Sequence, residues 1–107
     1  LISVALLGLD YWGGNYLRGL QNICDSNPDA LKDVPSNVKT TLDYEEIAKD
    51  EDLKAAFLVT PVSTHYKIAK LFLEQGKHLL VDKPLTMNVK EAFELAKIAK
   101  ENKAILL

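Results

Sequence analysis

Along the chain, short dense apolar runs alternate with longer stretches in which apolar residues recur every three or four positions. The runs are "ISVALLG" (2–8), "LKAAFLVTP" (53–61), "KHLLVDKP" (77–84) and "AILL" (104–107). An aliphatic run of this length, closed by glycine or proline, reads as a strand buried on both faces. "NVKTTLD" (37–43) is a shorter strand rich in β-branched residues. Helical spacing falls between these runs. Trp12, Tyr16, Leu17 and Leu20 predict a helix over about 13–21, and Ser26-Asn27-Pro28 opens a short one. Asp43 with Glu46 forms a capping-box pattern. In "STHYKIAKLFLEQG" (63–76) Ser63 is the expected cap, Ile68, Leu71, Phe72 and Gln75 share a face, and Gly76 is the stop. In "NVKEAFELAKIAKEN" (88–102) the expected inward residues are Val89, Phe93, Ala96 and Ile98 or Ala99.

About six strands thus alternate with about five helices, which predicts one α/β domain over 1–107: a doubly wound parallel sheet in three layers, α/β/α. In such a sheet ligands bind beyond the carboxyl ends of the strands. One interval is short. Only twelve residues separate Gly13 from Asp25, too few for a full helix, a turn and a five-residue strand. Either the second strand shrinks to about "NIC", or residues are missing near Leu20 to Ile23; the second reading is preferred. A chain that starts at Leu1 and ends at Leu106-Leu107, inside apolar runs, is also expected to be part of something longer.

Composition narrows the class. The 107 residues are 48% hydrophobic and 26% charged, as in an ordinary soluble domain. A net charge of -2 gives no reason to expect nucleic acid or an acidic membrane as partner. No apolar run approaches the ~20 residues of a membrane helix, and no signal peptide is visible. The single cysteine, Cys24, forms no internal disulfide and fits a cytoplasmic protein.

Three segments carry candidate chemistry. The first runs from Gly8 to Gly13, after the first strand. Glycine at 8 permits a tight turn, glycine at 13 permits close packing of helix on strand, and a helix N-terminus favours a pyrophosphate. Asp10 stands where a second glycine is usual. It reads as a helix N-cap beside a tolerated phosphate, as a carboxylate that repels that phosphate, or as a residue that selects the cofactor. The second segment is "LVTPVSTHY" (58–66), where a strand ends at Thr60-Pro61 and His65 enters the next helix. Taken alone, such a histidine reads first as structural. The third is "GKHLLVDKPLT" (76–86), which places Asp82 and Lys83 at the mouth of the sheet. Lys83 there can bond a substrate hydroxyl or move a proton, and a cis Lys83–Pro84 bond would fix its direction. The plain alternative is an exposed salt bridge made by Asp82.

In this order the segments resemble the N-terminal domain of the Gfo/Idh/MocA oxidoreductases, the glucose–fructose oxidoreductase and inositol dehydrogenase family. "GLDYWGGNYLRGL" is similar to the family's glycine turn, in particular to a branch with Trp-Gly-x-Asn. Thr-Pro-x-x-x-His, Gly-Lys-His and Asp82-Lys83-Pro84 are the more specific part. The resemblance implies a Rossmann fold that binds NAD, with NADP less expected. Gly8, Asp10, Tyr11, Trp12 and Gly13 would surround the pyrophosphate. Asp25 would hold the adenosine ribose if the register of the short strand survives. Thr60, Pro61 and His65 would line the cofactor's path, and Asp82 and Lys83 would lie beside the nicotinamide. Lys83 would be the catalytic residue, assisting deprotonation of a sugar or nucleotide-sugar hydroxyl while hydride passes to the cofactor. No metal is implied, and homo-oligomers are common. The family's C-terminal substrate domain has no counterpart within these residues. A reading from a different class is a non-catalytic nucleotide-binding or protein-interaction module with a degraded glycine turn.

Overall fold

The protein is described by a computed structural model, which defines residues 3–8, 22–25, 27–32, 34 and 38–107. Five parallel strands form one sheet: β1 (Ser3–Leu7), β2 (Asn22–Cys24), β3 (Lys39–Thr41), β4 (Leu53–Leu58) and β5 (His78–Val81). Their spatial order is β3-β2-β1-β4-β5. The chain builds outward from β1 to β3, then returns to the other side of β1 and builds outward again. The switch point therefore lies between the carboxyl ends of β1 and β4, where a ligand crevice is expected. The doubly wound parallel sheet read from the sequence is the fold observed. Residues 105–107 extend it past β5: the Leu79 and Val81 amides donate to Ile105 and Leu107 at 2.9 Å, and Leu107 donates back to Leu79.

Alternation along the strands sorts the core. Ala5 and Leu7 of β1, Ala56 and Leu58 of β4 and Leu79 of β5 join the main cluster, whereas Leu6 and Phe57 belong to the opposite face. The main cluster is covered by three helices: α1 (Tyr44–Lys49), α2 (Val62–Glu74) and α3 (Val89–Glu101). Phe72 and Leu73 of α2 and Leu95 of α3 are fully buried there; each contributes roughly 1.5–3 kcal/mol. Leu6 is met on the other face by Leu31, the last residue of a 3-10 turn (Pro28–Leu31) capped by Asn27, and by Val34 and Val38 beyond it. No described helix is long and apolar enough to cross a membrane.

The ends of the elements depart from the sequence reading in three places. Asp43 does cap α1, accepting from the Glu45 amide at 2.9 Å, but Glu46 does not close a capping box. Its carboxylate accepts instead from the Thr41 hydroxyl, which also receives the Asp43 amide. Ser63 is not the cap of α2: the helix starts at Val62, Pro61 occupies the cap position, and no side chain caps it. On α3 the inward face is Leu95 and Ala99, while Val89 and Phe93 are 69% and 72% exposed and Ala96 is exposed too. The expected helix over 13–21 lies outside the described residues.

Gly76 ends α2 as expected, at φ 74°. Its amide donates to Leu73 and the next amide, of Lys77, to Phe72, which is a Schellman closure. α3 closes the same way, through Lys103 to Lys100 and Ala104 to Ala99, but the left-handed residue is Lys103 at φ 54°. A side chain in that conformation costs about 1 kcal/mol or more. Lys103→Gly is therefore expected to stabilise the domain by ~1 kcal/mol, read as a higher urea midpoint; an unchanged midpoint would show that Lys103 carries no strain.

Candidate functional site

The carboxyl ends of the strands are keyed to one another by backbone hydrogen bonds that run one residue past each strand. Gly8 donates to Cys24 at 2.8 Å, Val59 to Leu7 at 2.8 Å, Asp82 to Leu58 at 2.8 Å and Asp25 to Thr41 at 3.2 Å. Gly8, Asp25, Val59 and Asp82 thus stand level along one edge. Gly8 has φ 94°, and a Cβ there would meet the Thr60 nitrogen and the Val59 carbonyl group at 2.9 Å. Only glycine fits this turn, as the sequence suggested, and the reason is the approach of β4 as well as the turn itself.

β2 is the reduced strand "NIC". Its register is intact: Cys24 pairs with Leu7 on one side and Thr41 on the other. Asp25 consequently sits beside the β1 turn despite the short interval. It is half-buried, and its Oδ1 accepts from the Asn27 amide at 2.8 Å. Beside it opens a cleft of about 230 Å³ whose walls include Leu42, Tyr44, Thr60, Pro61 and Ile68. Its lining is mostly apolar, with the Asp25 carboxylate on one side and the Thr60–Thr64 hydroxyl pair, 2.7 Å apart, on another. Such a cleft suits a flat heteroaromatic ring with a polyhydroxylated group at its edge.

Cys24 also lines this cleft. Burial, and then the Asp25, Asp43 and Glu46 carboxylates, push its thiol from 9.0 up to about 12. The folded state holds the proton that the unfolded chain loses near pH 9. The stabilisation is thus complete below that pH and lost as the pH rises towards 12. Alkylation of the native protein at pH 8 should be about a thousandfold slower than in denaturant, in proportion to the thiolate present. Equal rates would mean that Cys24 is neither buried nor held neutral.

His65, Asp82 and Lys83 lie apart from the walls of that cleft. Asp82 is half-buried; Lys83 and Pro84 are exposed, and the bond between them is cis. Among the described residues the ion pair is Lys97–Glu101, so the surface salt bridge considered for Asp82 does not form there. His65 is 1% exposed, and its ring nitrogens face backbone carbonyls. Asp10, Tyr11, Trp12 and Gly13 lie outside the described residues. Among those that are described, no cluster of histidine, cysteine and carboxylate side chains could hold a metal ion.

Sequence reasoning gave no role to Lys77, although it noted the Gly-Lys-His triplet. Lys77 is buried, and its Nζ donates to the carbonyls of Asp50 at 2.5 Å and Leu53 at 2.8 Å. His78 Nδ1 accepts from the Ile105 amide at 2.9 Å. The triplet ends α2, ties β5 to the entry of β4 and receives the strand segment at 105–107. The side-chain partners of Lys77 and His78 lie over twenty residues away, which is why local pattern is silent about them.

The family model of the Gfo/Idh/MocA oxidoreductases, described as having an NAD-binding Rossmann fold, matches residues 3–107. The chain belongs to that family. Among curated relatives of this Gfo/Idh/MocA domain is the UDP-N-acetylglucosamine 3-dehydrogenase of Acidithiobacillus ferrooxidans. It is 29% identical over 87 residues, which cover 81% of this chain and 28% of that protein. The scyllo-inositol 2-dehydrogenase (NADP(+)) IolU of Bacillus subtilis is 35% identical over 65 residues, covering 61% of this chain and 20% of its own length. Among solved structures, GenD2 from gentamicin A biosynthesis, in complex with NAD, superposes with a TM-score of 0.91 at 25% identity, over 98% of this chain and 33% of that one. The Gfo/Idh/MocA domain thus spans about a third or less of these relatives.

Proposed function

We propose that the chain is the NAD-binding domain of a dehydrogenase that oxidises a secondary hydroxyl of a sugar or nucleotide sugar. The observation that carries this reading is the Gly8 turn at the switch point, pressed against Thr60 and flanked by a cleft with a carboxylate at its edge. The residues present fit a dinucleotide. Leu42, Tyr44, Pro61 and Ile68 offer apolar contact to the adenine. Asp25 stands where it can accept from both ribose hydroxyls, and a 2′-phosphate there would meet a carboxylate, so NAD is favoured over NADP. Gly8 exposes backbone for the pyrophosphate to approach. The nicotinamide, when bound, accepts a hydride. The part of this chain in the reaction is to hold the cofactor at one strand end and to present Lys83 at another. From there the lysine bonds the substrate oxygen and assists removal of its proton.

The Trp-Gly-x-Asn stretch, together with the likeness to a UDP-N-acetylglucosamine 3-dehydrogenase, supports a nucleotide-linked amino sugar as the substrate class. A cytoplasmic location and a homo-oligomer go with the reading.

Calorimetric titration of the 107-residue chain with NAD⁺ and NADP⁺ tests it. Micromolar to low-millimolar binding with NAD⁺ preferred is expected, and Asp25→Ala should lose about tenfold in NAD⁺ affinity and abolish the preference. A folded chain that binds neither dinucleotide would favour the non-catalytic module.

A further inference from the structure

His65 sits in the first turn of α2, and its ring is used up by backbone. Nε2 lies 2.8 Å from the Thr60 carbonyl oxygen; Nδ1 lies 3.0 Å and 3.1 Å from those of Pro84 and Leu85. Carbonyl oxygens only accept, so the ring nitrogen that carries the proton donates to the carbonyl it faces, and the ring lies between the two loops. The three carbonyls belong to two separate loops, the end of β4 and the segment after β5. With 1% of its surface exposed, the ring offers a ligand nothing.

We propose that His65 is a positioning residue, which splints the Lys83–Leu85 backbone to the end of β4 and so sets where Lys83 stands relative to the Gly8–Thr60 contact. The inference rests on reading this end of the sheet as the cofactor site. Lys83 is exposed, and among the described residues its ammonium group makes no hydrogen bond or ion pair. Its direction is therefore inherited from its backbone. On one side that backbone is held by the Asp82 amide, which donates to Leu58 at 2.8 Å. On the other side the holding contact is the His65 ring. Beyond it, the Thr86 hydroxyl donates, among the described residues, to Asn88 alone, two residues on, which ties the loop to itself. The residue that His65 holds on the β4 side is Thr60, whose nitrogen faces Gly8. One ring thus connects the lysine loop to the glycine turn.

A histidine that merely filled the core would be replaceable by a ring of similar size. The test compares His65→Phe and His65→Gln with the parent in the ¹⁵N-labelled 107-residue chain, by backbone relaxation and by shift changes on adding NADH. In His65→Phe the order parameters of the amides of 83 and 85–87 should fall from about 0.85 to below about 0.6, while those of α2 stay unchanged. His65→Gln, which retains one donor group, should fall between. Unchanged order at 83–87, or loosening spread evenly through α2 and the sheet, overturns the proposal. Should His65→Phe fail to fold, the same two outcomes are read from His65→Gln. The NADH arm separates this inference from the reading it rests on. If the parent chain shows NADH shifts at Gly8, Asp25 and Thr60, and those at 83–85 vanish in His65→Phe, both stand. If the parent shows none, the cofactor reading fails, while the relaxation data still decide what His65 holds.

Discussion

Replacing Gly8 by alanine is expected to destabilise the domain by roughly 3 kcal/mol and to abolish dinucleotide binding. Two costs add. A residue with a side chain held at φ 94° pays about 1–3 kcal/mol in backbone strain. The new Cβ would also stand 2.9 Å from the Thr60 nitrogen and from the carbon and oxygen of the Val59 carbonyl, all backbone atoms. A flexible side chain could yield to such contact. Here the neighbour is the end of β4, pinned by the Val59 amide to the Leu7 carbonyl at 2.8 Å. Relief requires β1 and β4 to part at the switch point, and overpacking of this kind costs about 1–3 kcal/mol. Domains of this size have about 5–15 kcal/mol in hand, so the variant should fold with a lowered urea midpoint. Binding should suffer more than folding, because the atoms that move are those a pyrophosphate must approach. A variant with parental midpoint and parental NAD⁺ affinity would mean that the turn is slack and unconnected with the cofactor.

The alternation of elements was legible because buried parallel strands read as short, near-continuous apolar runs: "ISVALLG" and "LKAAFLV" read as strands by their length and by the glycine and proline that close them. The capping of α1 by Asp43 and the stop at Gly76 were legible for a similar reason, since both act within a few residues of themselves. On α3 Ala99 was placed inward correctly, but Val89, Phe93 and Ala96 were misread, because the helix carries two apolar stripes. Val89, Phe93 and Ala96 form one, and Ala92, Leu95 and Ala99 the other. Spacing cannot choose between them. The choice is made by α2, against which α3 packs, and it favours the stripe with small residues around one leucine. At the site, residue type and order pointed to Gly8, Asp25, Thr60 and Lys83 as neighbours along the strand ends, and the parallel register sets those ends level. What chain order does not contain is which backbone a buried polar group will meet. Lys77 reaches carbonyls 24 and 27 residues before it. His65 reaches carbonyls 19 and 20 residues after it. His65 reads as candidate chemistry in the sequence and Lys77 is given no role there; in the fold both side chains meet the backbone of distant segments.

Lys83 contrasts with those two, and its replacement carries the largest expected effect. In a full-length oxidoreductase carrying this domain, Lys83→Ala should lower kcat by about 10²–10⁴-fold, the usual worth of a positioned proton-transfer group. NAD⁺ affinity should change by less than about threefold. Lys77 spends its donors on two carbonyls, but Lys83 makes no hydrogen bond or ion pair among the described residues and stands in the open at the end of β5. A strong cation left unpaired there contributes little to folding, so the domain should melt as before when it is removed. Taking hydride from a secondary alcohol leaves a carbonyl only if the hydroxyl proton also departs, and in the proposed reaction Lys83 bonds that oxygen. Lys83→Arg should recover little, because a guanidinium holds its proton and its planar fork does not reproduce a single point of contact. Steady-state kinetics with separate cofactor titration check both halves of the expectation. Unchanged turnover in Lys83→Ala would remove the lysine from the chemistry. A loss confined to cofactor affinity would make it a binding residue and leave the proton to another group.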